Sequence, residues 1–82
     1  MLYKVIITLR LDTGEEVSIS GKAQDKLPDR EMLQAGLDKW AKTYDKREIL
    51  YLTTRSWRGK VKTNAKFSSI EEVKEWVEGD MR

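Results

Sequence analysis

The side chains best suited to chemistry cluster between residues 46 and 66. Lys60, Lys62 and Lys66 fall at even positions of one stretch, Arg55 and Arg58 bracket Trp57, and Lys46 and Arg47 lead in. Against these seven cations stands Glu48 alone, a local charge of +6 over 21 residues. Clustered ammonium and guanidinium groups engage phosphates and release their condensed counterions. An aromatic ring among them stacks on an exposed base while the cations hold the backbone. Lys46, Arg47, Arg55, Trp57, Arg58, Lys60, Lys62 and Lys66 are therefore the candidate nucleic-acid contacts. Lysine also guards exposed strands against edge-to-edge pairing, so the same row reads as a solvated sheet face where no polyanion meets it.

Catalysis has little to work with. The 82 residues include no histidine and no cysteine. That removes the commonest general base, the thiol nucleophile, disulfides and zinc knuckles. The glycines Gly14, Gly21, Gly36, Gly59 and Gly79 are isolated, so no loop is built to cradle phosphates. Pro28-Asp29 and Glu72-Val73-Lys74 are similar to the skeleton of the PD-(D/E)xK nuclease motif, whose acids hold a divalent metal beside a lysine. That family sets its acids on neighbouring strands of a hairpin. Here both fall at expected helix starts, and Glu72 has a capping role. The expectation is a binding module, not an enzyme, with no catalytic residue, metal or cofactor.

Charge is partitioned along the chain. Residues 1–45 carry seven basic and eight acidic side chains, whereas residues 67–82 carry five acids against Lys74 and Arg82. A basic segment thus runs directly into an acidic one. Leu2 to Leu11 is apolar, but Lys4 and Arg10 interrupt it before it reaches the length of a signal region or a membrane span. No membrane association is expected. The lack of cysteine fits a reducing compartment, and a cytoplasmic location is the corresponding expectation.

These side chains need elements to hold them. Tyr3, Val5, Ile7, Leu9 and Leu11 alternate with Lys4, Ile6, Thr8 and Arg10, which predicts a strand with one buried face. Asp12-Thr13-Gly14 supplies a turn, and Glu15 to Ser20 a second strand with Val17 and Ile19 inward. Gly21 to Leu27 reads as a polar connection. Pro28 suits a first helical turn, Asp29 and Glu31 suit the positive end of the helix dipole, and Leu33, Leu37, Trp40 and Tyr44 define an apolar stripe. Gly36 on that helix implies a close approach to the sheet. Glu48 to Trp57 is β-branched and aromatic, Arg58-Gly59 offers a turn, and Lys60 to Phe67 alternates again. Ser68 or Ser69 caps a final helix carrying Ile70, Val73, Trp76 and Val77 and stopped at Gly79.

The expected fold is α+β in the order ββαββα: hairpin 2–20, helix 29–44, basic hairpin 47–67 and helix 69–78. A four-stranded, mainly antiparallel sheet would carry both helices on one face of a single domain. Trp40 and Trp76 are expected in the core, with Trp57 more open.

From Trp57 to Val77, a strand leading into a Ser-Ser-Ile-Glu-Glu helix resembles the small DNA-binding sheets of the AP2 type and of integrase arms. The likeness is generic, and no residue role is carried over. Size and the lack of catalytic residues also suit the alternative, a protein-interaction module such as a phage or mobile-element inhibitor or adaptor of a host protein. On that reading the sheet-face residues Leu2, Ile6 and Thr8 outweigh the lysines. A homodimer is compatible with either reading.

Overall fold

The computed structural model describes residues 1–44, 48–79 and 81. These form β1 (Leu2–Leu11), β2 (Glu16–Gln24), α1 (Arg30–Tyr44), β3 (Ile49–Arg58), β4 (Val61–Phe67) and α2 (Ile70–Gly79). The strands make one antiparallel sheet in the order β2-β1-β3-β4, giving the α+β, ββαββα plan expected from the alternation of apolar residues. Gly14, at φ +95°, takes the left-handed conformation that closes the first turn. There its N–H donates to the Leu11 carbonyl at 3.0 Å.

Several boundaries differ from the sequence reading, most by a single residue. β2 continues through Gly21–Gln24, which pair with Val5 back to Leu2, because ten-residue β1 offers backbone partners that local polarity does not reveal. The second hairpin turns at Gly59-Lys60, with Arg58 and Val61 still paired, since Gly59 adopts φ +63°. Pro28 lies before α1 instead of inside it. Asp29 is the cap, its Oδ1 accepting the N–H groups of Glu31 at 2.9 Å and Met32 at 3.4 Å.

The core forms where the odd residues of β1 meet the helix stripes. Val5, Ile7, Leu9 and Leu11 pack with Leu33, Leu37, Trp40 and Tyr44 of α1, with Leu52, and with Ile70, Val73 and Val77 of α2. Each such aliphatic side chain, fully buried, contributes about 1.5–3 kcal/mol of transfer free energy. A Cβ built on Gly36 would lie 2.7 Å from Ile19 Cδ1, so the helix approaches β2 as closely as the missing side chain permits. Trp76 is only half-buried, tilted at 60° against Phe67 with ring centroids 6.1 Å apart.

Ser69 caps α2: its Oγ accepts the Glu72 N–H at 3.2 Å, while the Glu72 carboxylate accepts the Ser68 N–H at 3.0 Å. Gly79 ends that helix without a left-handed φ. Instead the Met81 N–H donates to the Trp76 carbonyl at 3.0 Å and folds Met81 into the core, a burial that spacing did not predict.

The helices are joined by Lys74 Nζ, 2.7 Å from Asp38 Oδ1, and by Gln34 Nε2, which donates to the Lys74 carbonyl and to Glu78 Oε1. No helix among the described residues is long and apolar enough to cross a membrane.

Candidate nucleic-acid interface

Side chains alternate across a strand, so burying the odd residues of β1 turns Leu2, Lys4, Ile6, Thr8 and Arg10 to the opposite face. Strand register then determines which residues share that open face. One row across the sheet reads Lys22, Lys4, Trp57, Lys62; the next reads Ser20, Ile6, Arg55, Asn64; a third reads Ser18, Thr8, Thr53, Lys66. A fourth row brings Glu16, Arg10 and Tyr51 together. Among the described residues the open face therefore carries six cations and a single carboxylate.

That carboxylate is already engaged. Glu16 Oε2 accepts the Tyr51 hydroxyl at 2.6 Å and lies 3.7 Å from Arg10 Nη1. No described carboxylate forms an ion pair with Lys4, Lys22, Arg55, Lys62 or Lys66. The acids lie mostly on the other side of the molecule: Glu71, Glu72, Glu75 and Glu78 are exposed on α2, as is Asp38 on α1. Lys74, within this acidic layer, holds its proton more tightly than an ordinary lysine. Its hydrogen bond to Asp38 is the main cause, the charges of Asp38 and Glu71 add to it, and desolvation opposes it.

Trp57 occupies the middle of the first row. Lys4 Nζ lies 5.2 Å and Lys62 Nζ 5.4 Å from its ring centroid, within the range of cation–π attraction. The ring is half-buried, placed between ammonium groups contributed by the strands on either side of β3.

Of the eight residues singled out in the sequence, Arg55, Trp57, Lys62 and Lys66 come together on the open face. Arg58 does not join them. As the neighbour of Trp57 on a strand it projects to the helix side, where its guanidinium lies 5.7 Å from the Tyr3 ring centroid. There it borders a cavity of about 270 Å³ also lined by Leu27, Pro28, Trp76 and Met81. Lys60 sits in the turn beside the lysine row, and Lys46 and Arg47 lie outside the described residues.

The structure adds Lys4, Lys22 and Arg10, which sequence reasoning left in a nearly neutral half of the chain. The signal was present in Lys4 and Arg10, both at polar positions of an alternating strand, but their neighbourhood with Trp57 requires the β1–β3 pairing. Leu2, Ile6 and Thr8, the residues of the protein-docking alternative, occupy this same face, with Thr8 buried beneath its neighbours.

The nuclease-like pair is not assembled, since Asp29 and Glu72 cap different helices. No cluster of three or more His, Cys, Asp or Glu among the described residues could hold a metal ion. Compared with known proteins, the chain matches no family model, no curated protein and no solved structure.

Proposed function

We propose that the chain is a non-enzymatic nucleic-acid-binding module whose contact surface is the open face of the sheet. The observation that carries this reading is the set of five cations, Lys4, Lys22, Arg55, Lys62 and Lys66, that shares the open face with Trp57 and has no ion-pair partner among the described carboxylates. Such a face attracts a polyanion and offers the Trp57 indole to a base. The sequence identified half of this surface as a basic hairpin, and the first hairpin supplies the rest.

Fluorescence anisotropy with labelled DNA and RNA oligonucleotides, between about 50 and 200 mM salt, tests the reading. Four to five phosphate contacts should make log affinity fall linearly with log salt, with a slope of about −3 to −4. An absence of binding at micromolar protein in low salt contradicts it. So does capture of a protein partner that survives nuclease treatment while no oligonucleotide binds.

A further inference from the structure

We propose that Trp57 is a base-stacking site for single-stranded nucleic acid, occupied in the free protein by the ammonium groups of Lys4 and Lys62 and vacated when phosphates draw those groups away. The inference rests on the open face being the nucleic-acid surface. Lys4 and Lys62 stand directly opposite Trp57 in the pairing of β3 with its two neighbours. Their Nζ atoms lie 5.2 and 5.4 Å from the ring centroid.

An ammonium bonds more strongly to a phosphate oxygen than to the face of an indole, because charge-assisted hydrogen bonds exceed cation–π attraction at exposed sites. Phosphate binding by either lysine therefore uncovers the ring that the same lysine covered. An unstacked base then takes the lysine's place. The neighbouring row sets Arg55 opposite Asn64 on the same face. This places a guanidinium for the backbone and an amide for a base edge beside the ring.

The arrangement discriminates by strand state. In a duplex the base faces are hidden in the stack, so the sheet meets phosphates alone. In a single strand each base has a π-face to offer. Lysines on this face bind both forms, whereas Trp57 adds affinity for one.

The test compares wild type, Trp57→Ala and Trp57→Phe on a single strand of about 12 nucleotides and on the duplex of the same sequence. Trp57→Ala is expected to lose about tenfold in single-strand affinity, as removal of one stacked base does, with duplex affinity and salt slope unchanged. Trp57→Phe keeps an aromatic face and should retain most of the preference. Single-strand binding should also quench tryptophan emission in wild type, and this quenching should be absent from Trp57→Phe, a readout available even if Trp57→Ala fails to fold.

Equal losses on both strands, an unchanged preference in Trp57→Ala, or undiminished quenching in Trp57→Phe overturns the stacking site while leaving the basic face as the binding surface. Failure of wild type to bind either oligonucleotide overturns both readings.

Discussion

Gly36 and Ile19 show how closely single residues are matched. Alanine at 36 would gain about 1 kcal/mol of helix propensity, but its Cβ would meet Ile19 Cδ1 at 2.7 Å. Ile19→Val removes that methyl group. Urea titration of the four-variant cycle should therefore find Gly36→Ala more favourable by about 1 kcal/mol in the Ile19→Val background than in wild type, a coupling of the size expected for residues in contact. Additive values would contradict the packing. At the start of α1, Asp29→Ala should cost about 1 kcal/mol, because two N–H groups lose their acceptor. An isolated glycine within an amphipathic helix and an acid at a helix start are both local signals that could be read from the sequence, although the glycine's partner, Ile19 of β2, could not. Nor could the partners of Trp57. Arg58 adjoins it in the chain and points to the opposite face, whereas Lys4, 53 positions away, lies within cation–π distance of its ring.

Elements followed their periodicity, and the departures arose where one element depends on another. β2 runs past Ser20 because β1 pairs with it, and β4 buries little of its inner face because α2 spans only ten residues and leaves Val61 67% exposed. The joint between the two helices can be tested through its ion pair. Lys74 has a pKa raised above the ordinary 10.5 by its hydrogen bond to Asp38. A raised folded value stabilises the protein fully below the unfolded pKa and loses that contribution as pH rises through the folded one. Wild type should thus be more stable than Asp38→Asn in urea titrations at pH 8, and the difference should shrink well above pH 10.5. A difference that grows with pH would mean that the Lys74 ammonium is not the group Asp38 stabilises.

The whole molecule is a slab with opposite charges on its two outer surfaces. Its shortest Cα extent is 17 Å. The carboxylates of α2 and the lysines of the open face lie on opposite sides of the sheet, so their attraction is largely screened at physiological ionic strength, where the Debye length is about 8 Å, and much less so near 10 mM, where it is about 30 Å. Replacing Glu71 and Glu75 with glutamine should leave oligonucleotide affinity within about twofold at 0.15 M salt and strengthen it several-fold near 10 mM, as anisotropy would show. A net charge of only +2 conceals this polarity, and charge windows along the chain reveal half of it. The other half comes from folding, which brings the lysines of two hairpins onto one surface. The salt slope of oligonucleotide binding, compared among wild type, Lys4→Gln and Arg58→Gln, tests that surface most directly. If the open face is the interface, Lys4→Gln reduces the slope by about 1 and Arg58→Gln leaves it unchanged. A slope reduced by Arg58→Gln and untouched by Lys4→Gln would contradict the account.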